Sequence, residues 1–350
     1  DLFILCSKQV CKDVRKKAKA AHSFPLSQKA GRFLFFFWYI WILWKFRAFD
    51  GSFSHVYSTY EPRNIIAAFF VKKLFKKILT IDLWDDPEKA LMLAKVRNKP
   101  VDILLKAFEF FITKRVVQCA DNIIIGLVPE GIIEKYSLEN SRVLAVTNGI
   151  NLGYNFKQSM QNPNRKSDRF TLFYCGTVDS IRLEGLSQCI DKVVDKILTI
   201  KIIIIGNQTS EGYRWLAKSF RRFGDCVDLD IRGRRPYTSV VKAIEESDVC
   251  ICPYPDRLDI AATYPVKIFD YMNMGKPVVA SRLAGIKRII HHGLDGLLFE
   301  PGKYDKMAEY ILKLWESEAL RHRISVNAKT SVKKYEWDSI HSKIYDFLER

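Results

Sequence analysis

"TYPVKIFDYMNMGKPVVAS", residues 263–281, reads as a loop, a helix, a glycine turn and a strand. Pro265 suits a first helical position, where its missing N–H costs nothing. Gly275 ends the helix, and Val278-Val279-Ala280 continues as an apolar run of the kind buried on both faces. A helix feeding such a strand through a tight turn is part of an α/β unit with a parallel sheet. Two charges stand inside this unit. Lys267 lies in the first helical turn, where the helix dipole disfavours a cation unless an anion is present. Asp270 follows one turn later on the same face and can accept hydrogen bonds from hydroxyls. A phosphate at the helix start with a ribose diol beside Asp270 accounts for both charges. Taken alone, a solvated Lys–Asp pair at i, i+3 accounts for them better.

Working outward, strands alternate with helical stretches along the whole chain. The strand candidates after residue 169 are "FTLFYCG", "KIIIIGN", "VDLDIRG", "VCICPY", "PVVAS" and "GLLFE". Amphipathic helices separate them, such as "EGYRWLAKSFRRFG" with Tyr213, Leu216, Ala217 and Phe220 on one stripe. The first half repeats the pattern with "DLFIL", "HVYST", "KILTIDL", "NIIIGL" and "RVLAVT". Between the halves, residues 154–169 are polar, lack periodicity and read as a linker. The expected fold class is therefore α/β, with two doubly wound parallel-sheet domains facing across a cleft at the strand C-terminal ends. Their bounds are 1–153 and 170–334, with a last helix over 335–350 that packs Trp337, Ile340, Ile344 and Phe347 on one stripe. "DLFIL" opens the chain without Met or a signal-peptide pattern, so we expect the first domain to start at its second strand.

The 350 residues carry a formal net charge of +17. Nucleic acid, an anionic membrane surface and a phosphorylated substrate each match that excess. No paired Cys/His zinc spacing and no aromatic Lys/Arg-Gly-Phe run is present, so the sequence shows no module that reads bases. The eight cysteines form no CxxC pair, and several sit in apolar runs as small hydrophobes. That usage suits a reducing, cytoplasmic setting better than secretion. Residues 33–44 are an uninterrupted apolar run of twelve, which rises roughly 18 Å as a helix against a ~30 Å hydrocarbon core. It is too short to span. A buried helix and an interfacial segment anchored by Trp38, Tyr39, Trp41 and Trp44 both fit it.

The order Pro265-x-Lys267-x-x-Asp270, Gly275-Lys276-Pro277-Val278-Val279-Ala280, Gly293-x-x-Gly296-x-Leu298 and Pro301-Gly302 resembles the C-terminal domain of glycosyltransferase family 4. Those enzymes are retaining nucleotide-sugar transferases with two Rossmann-like domains, the GT-B fold. "VVQCADNIII" and "VLAVTNGIN" are similar to the end of that family's N-terminal domain, so the resemblance covers nearly all of residues 50–320. It implies that the last helix crosses back to the first domain. It also implies a ribose-binding role for Asp270, one methylene shorter than the family's Glu, and a diphosphate-binding turn at Tyr264, Val266 and Lys267. Gly176 and Thr177 fall at the loop that approaches the phosphates, with Arg182 the nearest candidate for the basic group that follows. Arg235, Pro236 and Tyr237 match the loop flanking the base.

Two positions depart from the family. Ala262 stands where a Glu commonly contacts the donor sugar, and Trp84 stands where a His is common. Asp85 and Asp86, just beyond, suit either positioning of an acceptor hydroxyl or capping before Pro87. The resemblance implies transfer from a nucleotide-diphosphate sugar to a glycan or lipid-linked acceptor, with Lys267 and Arg182 stabilising the leaving diphosphate and no cofactor or obligatory metal. A lipid-linked acceptor implies peripheral attachment to an anionic membrane. Two other functions stay open at this point: a nucleotide-sugar epimerase of the same fold, and a non-catalytic nucleotide-sugar-binding subunit.

Overall fold

The computed structural model describes residues 2–5, 20–22, 54–59, 62–84, 111–138, 142–152, 169–207 and 209–349. Asp85, Asp86, Trp38, Trp41 and nearly all of the linker lie outside them. The chain divides into two compact units, Asp1–Val146 with Lys343–Arg350, and Thr147–Ser342.

The first unit is a six-stranded parallel sheet in the order β2-β1-β3-β4-β5-β6. Its strands are β1 (Leu2–Leu5), β2 (Ala20–His22), β3 (His55–Thr59), β4 (Ile78–Leu83), β5 (Asn122–Ile125) and β6 (Arg142–Ala145). The five strand segments read from the sequence here all form, and β2 is an addition too short and too polar in its flanks to show periodicity. Helices α1 (Pro62–Phe75), α2 (residues 111–118) and α3 (Pro129–Tyr136) accompany them. Leu79, Ile81, Leu83, Ile123 and Ile125 of the central strands pack with Ile65, Ala68, Val71, Val117 and Tyr136 in one core. Each leucine, isoleucine or valine side chain fully buried in that way contributes roughly 1.5–3 kcal/mol.

The second unit holds another parallel sheet, ordered β12-β11-β10-β7-β8-β9. Here β7 is Phe170–Cys175, β8 Ile200–Ile205, β9 Val227–Ile231, β10 Val249–Cys252, β11 Val278–Ser281 and β12 Leu297–Phe299. The order reverses at β7 and β10, where crossovers leave to opposite sides, the place at which open α/β sheets bind ligands. Helices α4 (Leu186–Val194), α5 (Ser210–Phe220), α6 (Tyr237–Glu245), α7 (Leu258–Ala261), α8 (Val266–Asn273), α9 (Tyr304–Glu316) and α10 (Glu318–Val332) surround the sheet. Leu216 and Phe220 of α5 are buried as expected, but Tyr213 is 45% exposed, and its neighbour Gly212 is buried instead, close to the Val178 carbonyl.

The final helix, α11, runs from Trp337 to Glu349, and its residues from Lys343 onward group with the first unit. There the Arg142 guanidinium donates to the Phe347 carbonyl at 2.9 Å and lies over the Phe347 ring at 4.8 Å. Of the expected stripe, Ile340 is buried, while Trp337, Ile344 and Phe347 are half-buried.

Candidate donor-binding site

The glycine turn after β7 begins the site. Gly176 has φ +147°, a backbone that side chains with a Cβ rarely adopt, and its N–H donates to the Ile205 carbonyl at 2.9 Å. A Cβ on Gly206, at the end of β8, would collide with the Gly176 carbonyl. The two strand ends therefore meet backbone to backbone, and a Cβ on Gly176 itself would strike the Lys267 ammonium.

Helix α8 brings Lys267 there. Pro265 is its N-cap, so the first helical residue is Val266, one position later than the sequence suggests, and Lys267 is the second. The cause is the Pro265 ψ of 113°, an extended value that leaves proline outside the helix. The helix is tied to β7 by the Cys175 N–H, which donates to the Tyr271 hydroxyl at 2.8 Å. Its start is tied by Asn148, whose amide donates to the Tyr264 carbonyl at 2.7 Å. Tyr264 is buried, so its part is backbone placement, and Val266 is exposed.

Lys267 Nζ is buried and has no hydrogen-bond acceptor among the described residues. It lies 4.0 Å from the centroid of the Tyr174 ring and 4.7 Å from that of Tyr254. Two aromatic faces attract a cation but do not replace the hydrogen bonds it gives up on leaving water. Arg182 shares the Tyr174 and Tyr254 neighbourhood, with its guanidinium paired to Asp179, whose carboxylate also accepts from the Arg182 N–H at 2.7 Å. Burial works against that guanidinium, yet Asp179, with smaller help from Tyr254 and Tyr174, offsets it and leaves the pKa above its ordinary value. Thr177 contributes its carbonyl, which accepts from the Tyr174 hydroxyl at 3.0 Å.

Asp270 stands one turn beyond Lys267. Burial raises its carboxyl above the ordinary range, and a hydrogen bond from the Tyr237 hydroxyl at 2.8 Å opposes that rise. Tyr237 opens α6 with Pro236 as the N-cap, while Arg235 is exposed. Lys267 and Asp270 both act electrostatically on the Cys175 thiol, which burial pushes up. The structure thus gathers Gly176, Thr177, Arg182, Lys267, Asp270 and Tyr237 in one neighbourhood of the second unit. Sequence reasoning missed Tyr174, Tyr254 and Asp179. Tyr174 and Tyr254 sit in apolar strand-end segments that read as core, and Asp179 in "DSIR" reads as a turn residue.

The Tyr237 bond gives a testable pH effect. A hydrogen bond to a carboxylate favours the ionised form, so Tyr237→Phe moves the Asp270 pKa further up. If ligand hydroxyls donate to the ionised carboxylate, nucleotide affinity falls with acid above the ordinary carboxylate range, and Tyr237→Phe shifts that fall to higher pH. Calorimetric titrations from pH ~4 to ~8 read both inflections. Coincident inflections in the two proteins contradict the contact.

In the first unit Asp82 is buried, and its carboxyl is pushed from 3.8 up to about 6 by burial, against hydrogen bonds from Tyr57 and Trp84. Between those values the folded chain holds a proton that the unfolded chain has released, so stability falls as pH rises through this window. The full change is about 3 kcal/mol. Asp82→Asn lacks the charge and is expected to gain on the wild type by that order between pH ~4 and ~7. Urea unfolding midpoints across the window check it, and parallel curves contradict it.

Two wound parallel sheets, each an α/β unit, define the fold class as GT-B-type, and the buried Lys267 lies at a strand-end turn of the second. The whole chain follows Anabaena HepE in complex with UDP, with a TM-score of 0.70 at 14% identity over 99% of each chain. It follows sucrose-phosphate synthase from Thermosynechococcus elongatus with a TM-score of 0.69 at 13% identity, covering 99% of this chain and 98% of that one. Residues 169–317, within the second unit, match the family model described as Glycosyl transferases group 1. An uncharacterized glycosyltransferase of Methanocaldococcus jannaschii is 23% identical over 198 residues, 57% of this chain and 51% of that protein. The phosphatidyl-myo-inositol mannosyltransferase of Mycobacterium leprae is 24% identical over 183 residues, 51% of this chain and 46% of that protein. The chain spans about half the length of these curated relatives.

Proposed function

We propose that the chain is a retaining glycosyltransferase that moves a sugar from a nucleotide-diphosphate sugar to a glycan or lipid-linked acceptor. The observation that carries this reading is the buried Lys267 ammonium at the start of α8, which has no acceptor among the described residues. A diphosphate supplies the missing acceptors, and helix N–H groups add to its attraction. Asp270 then receives the ribose hydroxyls, and the loop from Arg235 to Tyr237 flanks the base. As the sugar–phosphate bond ionises, negative charge grows on the leaving diphosphate, and Lys267 and Arg182 stabilise it without rearranging. These two cations and the helix start supply positive field at the leaving group, so no metal is obligatory in this reading. HepE was crystallised with UDP, which supports a nucleotide donor of that kind.

The epimerase and the non-catalytic subunit are not favoured, since the relatives reported above are named as transferases. Incubation with labelled nucleotide sugars and a lipid extract tests the choice. The transferase reading expects labelled sugar on an acceptor with its anomeric configuration kept in proton NMR. Epimerised donor, binding without turnover or an inverted product each contradicts it.

The lipid-linked acceptor extends the proposal to a peripheral site on an anionic membrane surface of the cytoplasm, drawing on the +17 charge. No described helix is long and apolar enough to cross a membrane. High salt is expected to weaken flotation with anionic liposomes. Absence of flotation at low salt contradicts the extension.

A further inference from the structure

The charged groups of the donor site are held in different ways. Arg182 is paired with Asp179, and Asp270 accepts from the Tyr237 hydroxyl. Lys267 Nζ meets no acceptor among the described residues and has only the faces of Tyr174, at 4.0 Å, and Tyr254, at 4.7 Å. Both rings are fixed by contacts of their own. Tyr174 is the penultimate residue of β7, fully buried, and its hydroxyl donates to the Thr177 carbonyl at 3.0 Å. Tyr254 comes two residues after β10, which pairs with β7 so that Cys250 lies opposite Phe173. Pro253 and Pro255 flank it. Each proline locks its own φ, and the second also restricts Tyr254 to extended backbone, so the segment carrying this half-buried ring is stiff. The Tyr254 side chain bonds to Tyr174 and acts electrostatically on Arg182, so it stands beside both cations.

We infer that Tyr254 is a positioning residue, which with Tyr174 forms an aromatic box that keeps the Lys267 ammonium aimed before the donor arrives. The part played toward a diphosphate rests on the donor reading above. A ring face attracts a cation through its quadrupole without taking up its N–H groups, so all three stay available to phosphate oxygens. A carboxylate in the same place would hold the lysine by charge-assisted hydrogen bonds and compete with the ligand. The rings do not replace the hydrogen bonds that the ammonium gives up on leaving water. Weakening the ring face therefore moves the ammonium toward solvent, and apparent affinity falls with the fraction of protein that keeps it in place. The ring contacts persist when the diphosphate binds, because the ammonium turns its N–H groups to phosphate without leaving the box.

Phenylalanines carrying no, one, two and three ring fluorines, placed at position 254 of the full chain, test the box. They keep the shape of the ring and withdraw the negative charge of its face stepwise. A short pulse of acetic anhydride read by mass spectrometry reports Lys267 in the free protein. Labelling is expected to be slow in the wild type and in Tyr254→Phe, which keeps the face, and faster with each fluorine. Calorimetric titration with UDP is expected to lose about two- to thirtyfold in affinity along the same series. Uridine affinity stays constant, which a displaced loop would not leave intact. The inference is overturned if labelling of Lys267 is flat across the series, or if UDP binds the wild type and its affinity is flat. It is overturned equally if UDP affinity rises with fluorination, since the ammonium then leaves the rings to reach phosphate. Labelling that climbs with fluorination in a protein that binds no UDP would remove the donor proposal and leave the aromatic box standing.

Discussion

Lys267→Ala is expected to slow sugar transfer by about 10²–10³-fold at saturating donor, the usual effect of losing one preorganised group aimed at developing charge. The ammonium is buried between Tyr174 and Tyr254, with no acceptor among the described residues to neutralise it. Its interaction with a diphosphate is therefore little screened by water, and it grows as the leaving group gains charge. The same substitution should weaken binding of UDP and leave binding of uridine nearly unchanged, because the nucleoside has no group for the lysine to meet. The fold should tolerate alanine, since a small apolar side chain between two rings removes a desolvated cation. Equal losses for UDP and uridine would instead assign the damage to a displaced α8.

Asp270→Asn should cost about 1.5–3 kcal/mol of nucleotide affinity, a factor of roughly 10–150. Asparagine keeps the shape but offers one neutral acceptor oxygen, and Tyr237 competes for it. Ribose hydroxyls would then face the amide N–H₂ group. The loss should vanish for a 2′,3′-dideoxy nucleoside diphosphate, which has no diol to present. Calorimetry with UDP and its dideoxy analogue measures the difference. An Asp270→Asn protein that is folded and binds UDP as the wild type does would remove Asp270 from the site.

Much of the fold was legible because its strands are short apolar runs between turn residues. "KIIIIGN" and "VCICPY" are too apolar for a sheet edge and too short for helices, and they became β8 and β10. The helix boundary at Pro265 was misplaced by one residue because proline suits both the N-cap and the first turn, and only ψ separates them. The donor site was legible in part. Lys267 and Asp270 share a helix face, so their spacing declares them. Tyr237 was reached through the resemblance, but its bond to Asp270 joins residues 33 apart, and no periodicity encodes that pairing. The tyrosines around Lys267 come from β7 and the segment after β10, strands adjacent in the sheet and distant in sequence. Asp82 was hidden inside "KILTIDL", where a single acid in an apolar strand reads as an alternation break.

The central claim is that the start of α8 binds the diphosphate of a nucleotide donor through Lys267. A crystal structure of the chain soaked with UDP tests it most directly. The account predicts phosphate density within hydrogen-bonding distance of Lys267 Nζ and the first N–H groups of α8, with the ribose diol on Asp270. UDP bound with Lys267 Nζ still free of phosphate, or no UDP at this helix start at saturating concentration, would contradict it.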